Sequence, residues 1–327
     1  MKKNLEQYLA LGLDTSAYTT SLALVDQDEK LIYDCRLPLA VKDGSLGLRQ
    51  SDAVFAHISN LPALLKDRKD GLRDTVLVAV AAAVKPRPVE GSYMPVFKVS
   101  EAFGLFIAQT MGLFYLPSSH QEGHVQAGLW SAGLPAGEYL ILHLSGGTTE
   151  IISAREEKPG VFRLDLLGGS ADLNAGQFID RLGLAMGLGF PAGPELEELA
   201  KRAGSEEVRL PLAVKGLEIS FSGPTSQAER LLRQGCGKAE LARAIERCVA
   251  DSLAAAVENL PADYTGYRDV LAVGGVTANS YIRERLKEKL SVGPLHFARP
   301  EYASDNAVGL AVQAVRVYKY ETLNVKD

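Results

Sequence analysis

The chain has 327 residues, 46% of them hydrophobic, and carries 35 basic and 40 acidic side chains for a formal charge of −5. That length exceeds one ordinary domain and suits two, with enough apolar content for a large core that needs no disulfide staple. The mildly acidic balance excludes a global field that would hold nucleic acid unaided, so such a partner would need a local basic patch or a helper subunit. Cys35, Cys236 and Cys248 are scattered, form no CxxC pair, and read as cytosolic thiols. Met1 to Tyr8 is charged and runs straight into a strand-like segment, the wrong order for a secretory signal. No stretch reaches the roughly 18 apolar residues of a membrane helix. The expectation is a soluble cytoplasmic protein.

In chain order, Leu9–Leu13 and Ser21–Val25 read as strands around a polar turn. Ala53–Lys66 has helical spacing, with Asp52 as its expected N-cap. Thr75–Val84 is a buried strand, and Ser100 introduces a helix over Glu101–Met111. Tyr139–Leu144 and Thr149–Ala154 form a second strand pair around Ser145-Gly146-Gly147-Thr148. This pair resembles the first, half a chain earlier. A repeated strand–turn–strand fits an internally duplicated fold, and two unrelated hairpins would look the same. Helices follow over Asp180–Leu188, Glu195–Ala203 and Lys238–Leu260. A strand over Asp269–Val273 runs into Gly274-Gly275, and helices over Ala278–Leu290 and Asp305–Tyr318 close the chain. No low-complexity linker divides it. The expected domains are 1–115, with 305–327 packing back on it, and 116–304.

Four groups of residues can carry chemistry. Ser145-Gly146-Gly147-Thr148-Thr149 follows a strand and can cradle an anion on backbone N–H groups and hydroxyls. Val273-Gly274-Gly275-Val276-Thr277-Ala278-Asn279 joins a strand to a helix start, where the helix end favours negative charge. Either loop could also be a plain tight turn. His120 and His124 stand at i and i+4, on one helix face, and can chelate one metal ion; a hydrogen-bonded capping pair is the ordinary alternative. Glu122 points away from that face, which places it poorly as a peptidase base. Asp305, before an apolar helix, can be a third ligand or an N-cap. Asp172 and Asp180 flank Asn174-Ala175-Gly176; one could bond ribose hydroxyls, unless Asp172 is a cap and Asp180 a solvated side chain.

Taken together, these segments resemble the TsaD family, the tRNA threonylcarbamoyladenosine synthases formerly known as the O-sialoglycoprotein endopeptidase or glycoprotease family. The resemblance runs over nearly the whole chain. It is carried by Asp14-Thr15-Ser16, His120–His124, Ser145-Gly146-Gly147, Gly176–Asp180, Pro191–Pro194, Ser220–Gly223, Gly274–Asn279 and Ser304-Asp305-Asn306-Ala307. It implies an α/β, actin/sugar-kinase/Hsp70-like fold, two related domains with a ligand cleft between them. It implies an iron or zinc ion on His120, His124 and Asp305, with magnesium as a further candidate ion. An adenine nucleotide or threonylcarbamoyl-adenylate would lie on Leu144, Ser145, Gly146, Gly147, Thr148, Asp180, Gly193, Gly275 and Asn279. Asp14 and Ser16 of the first loop are the candidate catalytic residues. The implied activity is metal-dependent transfer of a threonylcarbamoyl group to tRNA adenosine, in a hetero-oligomer with another actin-like subunit and an ATPase, with no membrane partner.

Several positions depart from the family pattern. Thr148 replaces a histidine, Gln177 an acid, and Pro224-Thr225-Ser226 a segment with a lysine. Lys85-Pro86-Arg87-Pro88 replaces a glycine-rich turn, and no carboxylate follows Asp14 in its loop. The changes cluster around the expected substrate rather than on the metal ligands. They keep open a non-catalytic, nucleotide- and metal-binding scaffold. A metallopeptidase and a kinase using Asp14 as base are further alternatives.

Overall fold

A computed structural model describes residues 8–40, 48–66, 75–204, 207–261 and 269–323; the charged residues 1–7 and 324–327, the end of the segment expected to pack back on the first domain, lie outside the described residues. The chain opens with β1 (Tyr8–Thr15), β2 (Thr19–Asp26), β3 (Leu31–Pro38), α1 (Gln50–Ala63), β4 (Val76–Lys85), α2 (Phe97–Met111), β5 (Phe114–Ser119) and α3 (His120–Ala132). It continues with β6 (Glu138–Leu144), β7 (Thr149–Lys158), β8 (Val161–Ser170), α4 (Ala175–Ala185), α5 (Gly193–Ala200), β9 (Val214–Lys215), β10 (Glu218–Ile219), α6 (Ser222–Arg233) and α7 (Lys238–Glu258). The last elements are β11 (Asp269–Val273), a 3-10 turn at Gly275–Ala278, α8 (Ser280–Lys289), β12 (Leu295–Phe297), α9 (Pro300–Ala303) and α10 (Val308–Leu323).

Two sheets organise these elements. The first has the order β3-β2-β1-β4-β5, and the second β12-β11-β6-β7-β8-β10-β9. Read from β8, the second contains β8-β7-β6-β11-β12, the same pattern as the first. In each, the opening hairpin is antiparallel and the next two strands add in parallel. The sequence likeness of the two hairpins therefore reflects two copies of one topology. Consecutive residues of β1, β2, β4 and β6 are buried, the signature of strands covered on both faces. Each fully buried Leu in such a strand contributes about 1.5–3 kcal/mol.

The chain divides into two compact units. One holds the described residues within 1–136, 156–163 and 305–327, and the other those within 137–155 and 164–304. The first core gathers Leu9, Leu11, Leu13, Leu22, Val80 and Val99. The second gathers Leu140, Leu142, Ile151, Phe178, Phe221 and Ile245. The division corrects the expected boundary: segment 116–136, expected in the second domain, belongs to the first unit because α3 packs along α10.

Local expectations shift as well. Asp52 lies in the first turn of α1, whose N-cap is Arg49 without a side-chain cap. Ser100 lies inside α2, where burial of Phe97 and Val99 extends the helix backwards. Its hydroxyl meets the Ala83 carbonyl and Thr15, so an interior serine has its polar group satisfied without capping anything. α4 begins at Ala175, capped by Asn174, rather than at Asp180.

Candidate metal centre and nucleotide loops

α3 starts at His120 because Ser119 caps it. The Ser119 hydroxyl accepts from Glu122 N at 3.1 Å, and a Glu122 carboxylate oxygen accepts from Ser119 N at 2.9 Å. Glu122 is thus committed to a capping box. The helix then sets His120 and His124 one turn apart, and the residues before α10 bring Asp305 to them, all within the first unit.

The three ligand atoms form a nearly equilateral triangle. His120 Nε2 and His124 Nε2 are 3.2 Å apart, His124 Nε2 and Asp305 Oδ1 3.3 Å, and His120 Nε2 and Asp305 Oδ1 3.5 Å. Three ligands about 2.0–2.2 Å from one ion in tetrahedral geometry stand about 3.3–3.6 Å from each other. The groups behind the ligands complete the fit. Asp14, buried at the end of β1, holds His120 Nδ1 at 2.6 Å, which leaves Nε2 of the neutral ring with a lone pair toward the triangle. Ser16 donates to Asp305 Oδ2 at 2.6 Å and frees Oδ1. Burial works against a charged His120, yet Asp14 and Asp305 outweigh it and hold its pKa well above the usual histidine range. Burial likewise opposes charge on Asp305, but hydrogen bonds from His120 and His124 hold its carboxyl well below the usual range. A metal ion bound there would take the place of such a proton.

The N-cap reading of Asp305 gives way. Its carboxylate faces the histidines, and Asn306 Oδ1 accepts from Val308 N at 2.9 Å at the helix start. The sequence reading also missed His57. It is fully buried on α1, with Nε2 2.8 Å from the Ser16 carbonyl and Nδ1 2.8 Å from the Thr20 hydroxyl. These partners assign the proton to Nε2. Burial lowers its pKa, so it serves as a neutral strut under the loop carrying Ser16.

The glycine loops lie in the second unit. Ser145 N donates to the Thr148 carbonyl at 2.8 Å, closing the β6–β7 turn, and Gly147 N donates to Ser145 Oγ at 3.3 Å. The start of α4 docks on this turn. Gly176 N bonds the Ser145 carbonyl at 3.2 Å and Ala175 N bonds Thr149 Oγ1 at 2.7 Å. Any Cβ at Gly176 would lie 2.6 Å from Gly146 Cα. Gly146, Gly147, Gly193 and Gly275 all face open space where a Cβ would point. Gly274 instead abuts Leu144 at the buried end of β6, with a left-handed φ of 95°. Asp180 accepts from Ala192 N at 2.8 Å, and burial raises its carboxyl. Asn279 caps α8 through Ile282 N at 2.9 Å and donates to Glu246 at 2.6 Å. Asp172 is a structural anchor: its carboxylate accepts from Ser220 Oγ, Phe221 N and Ser222 N at the start of α6.

Comparison with known proteins follows the same lines. A profile of the family TsaD, tRNA N6-adenosine threonylcarbamoyltransferase, matches residues 55–312. The chain belongs to the TsaD family. It is 33% identical over 312 residues to a tRNA N6-adenosine threonylcarbamoyltransferase of Thermus thermophilus, covering 94% of this chain and 92% of that protein. It is 29% identical to a probable bifunctional tRNA threonylcarbamoyladenosine biosynthesis protein of Methanothermobacter thermautotrophicus, covering 95% of this chain. The chain spans only 56% of that relative's length. Among solved structures, it is similar to an activator of the 2-hydroxyisocaproyl-CoA dehydratase from Clostridium difficile with bound ADPNP, at TM-score 0.57, 15% identity and 98% coverage of both chains. It is also similar to HypF of T. kodakarensis, at TM-score 0.61 and 14% identity, over 98% of this chain and 48% of that one. The fold is the actin/sugar-kinase/Hsp70-like fold.

Two TsaD-family departures have local accounts. Gln177 Oε1 accepts from Asn174 N at 3.0 Å in the α4 capping box, a task an amide performs as well as an acid. Pro224 is the third residue of α6, where a missing backbone donor costs no helical bond. Among the described residues, no helix is long and apolar enough to cross a membrane.

Proposed function

We propose that this TsaD-family chain transfers a threonylcarbamoyl group from threonylcarbamoyl-adenylate to the N6 amine of a tRNA adenosine, using an iron or zinc ion held by His120, His124 and Asp305. The observation carrying the proposal is the ligand triangle, backed by Asp14 and Ser16. A bound divalent ion supplies Lewis-acid polarisation of a carbonyl oxygen. Asp14 fixes the His120 tautomer and Ser16 fixes the Asp305 carboxylate, so both act through the ligands. Ser145–Thr148, Asp180, Gly193, Gly275 and Asn279 are the proposed contacts for the adenylate; a Cβ at Gly146, Gly147, Gly193 or Gly275 would meet open space, which leaves room for a ligand beside the backbone. Amine attack forms a C–N bond and breaks the acyl–phosphate C–O bond, releasing AMP and a proton.

The same reading extends to partners: a second subunit of this fold and an ATPase. Phe55 and Ile58 of α1, with Phe106 and Met111 of α2, expose 74, 47, 69 and 58% of their surface and support a protein contact on the first unit. A peptidase reading finds no support in Glu122, whose carboxylate is held by Ser119.

The test is His120→Ala. Metal content is expected to fall from about one ion per chain to background. Threonylcarbamoylated adenosine, read by mass spectrometry of digested tRNA in a reaction supplied with all partner proteins, is expected to disappear with it. Full metal content and full product in the variant would overturn the proposal.

A further inference from the structure

Three elements deliver the metal centre. β1 brings Asp14, α3 brings both histidines, and the segment entering α10 brings Asp305. They meet backbone to backbone at glycines. A Cβ on Gly309 would overlap the Gly123 carbonyl oxygen and lie 2.6 Å from Ala127 N, so α10 crosses α3 in direct main-chain contact. A Cβ on Gly12 would overlap the Ala307 carbonyl oxygen and lie 2.6 Å from Ala311 N, so β1 meets the start of α10 as closely. Gly12 is two residues from Asp14, Gly123 is one from His124, and Gly309 is four from Asp305.

We propose that Gly12, Gly123 and Gly309 are positioning residues that set the spacing of the metal ligands. The inference rests on the metal reading above. A carbon atom settles at about 3.5 Å from its neighbours, so a methyl group at Gly309 must push α10 from α3 by about 1 Å at Ala127 N. Ligand distances at a metal site tolerate about 0.2 Å. Backbone contact, with no side chain to repack, carries the displacement directly to Asp305. Gly123 is more forgiving, because a Cβ there meets only the Leu310 side chain, at 3.3 and 3.4 Å.

The experiment measures zinc affinity of the full purified chain by chelator competition, together with the absorption spectrum of the cobalt-loaded protein. Gly309→Ala is expected to lose roughly 10–100-fold in zinc affinity, the range seen when support behind a ligand is removed, and to change the cobalt spectrum. A lower melting temperature of the metal-free variant with unchanged zinc affinity and spectrum would overturn the proposal. Should Gly309→Ala fail to fold, Gly123→Ala is expected to show a smaller loss that Leu310→Ala restores in the double variant; no loss, or no restoration, counts against it. His120→Ala separates the two claims. If the wild type binds zinc no better than His120→Ala, the metal reading fails and this proposal with it. If only His120→Ala is impaired, the glycine proposal alone fails.

Discussion

Glu246 offers a quantitative test of the network around the second glycine loop. Its side chain on α7 is fully buried. One carboxylate oxygen accepts from Asn279 Nδ2 at 2.6 Å and the other pairs with Arg243 Nη1 at 2.7 Å. Arg243 stacks over the Tyr281 ring at 4.0 Å. Burial pushes the Glu246 carboxyl from 4.5 up to about 7, against the pull of Asn279 and Arg243 and with a further push from Glu197. The folded chain therefore binds more protons than the unfolded chain between those values. Stability from this group is full below pH 4.5 and is lost as pH rises through about 7. A shift of that size corresponds to roughly 3 kcal/mol at 1.36 kcal/mol per unit. Glu246→Gln is neutral at every pH. The attraction between ionised Glu246 and Arg243 is already contained in that shift, so its removal adds no further pH dependence. Urea denaturation of both proteins at a series of pH values reads the difference. The stability of Glu246→Gln relative to wild type is expected to rise by roughly 3 kcal/mol from acid to alkaline pH and then level off. A difference that stays flat across the series would refute a buried, proton-holding Glu246.

Two further predictions concern the second unit. Gly176→Ala would drive a Cβ into the Ser145–Gly146 backbone, and is expected to weaken ADP binding by roughly tenfold, or about 1.4 kcal/mol, in isothermal titration; unchanged affinity would remove the turn from the proposed nucleotide site. Asp172→Ala removes the acceptor for Phe221 N and Ser222 N, and is expected to cost about 1–2 kcal/mol in thermal melting. Burial opposes its charge, but hydrogen bonds from Ser220 and the backbone dominate and hold its carboxyl well below the usual range. Its contribution is therefore present above the ordinary carboxylate range and lost as pH falls. A melting temperature that does not move would leave the α6 start without need of this anchor.

What could be read from the sequence was what local periodicity controls. The two hairpins showed their duplication because each alternates apolar strand and hydroxyl-rich turn, and the shared strand order then followed from the fold. His120 and His124 were legible because one helical turn fixes their separation. Asp305 stands 181 residues from His124, and family resemblance rather than spacing brought it forward. Asp52 and Ser100 misled because a polar residue before an apolar run looks the same whether it caps a helix or sits within it. Only the partner, here Thr15 for Ser100, distinguishes the two. His57 and Glu246 were invisible for a related reason. Each lies in an amphipathic helix among other polar residues, and each gains its role from a partner on another element, Ser16 and Asn279.

The domain boundary failed on the same physics. α3 follows β5 without a linker, so nothing along the chain reports that it belongs with α10, nearly two hundred residues on. What binds them is a crossing at Gly123 and Gly309, a close approach that leaves no hydrophobic period. That contact also explains why the proposed metal ligands all lie in the first unit. Once α10 returns to the first sheet and meets α3 at main-chain distance, Asp305 has no choice but to arrive at the two histidines. Asp14, on the strand that Gly12 lets α10 approach, then stands behind the nearer one. The meeting of Asp305 with the two histidines is thus a consequence of how three elements pack.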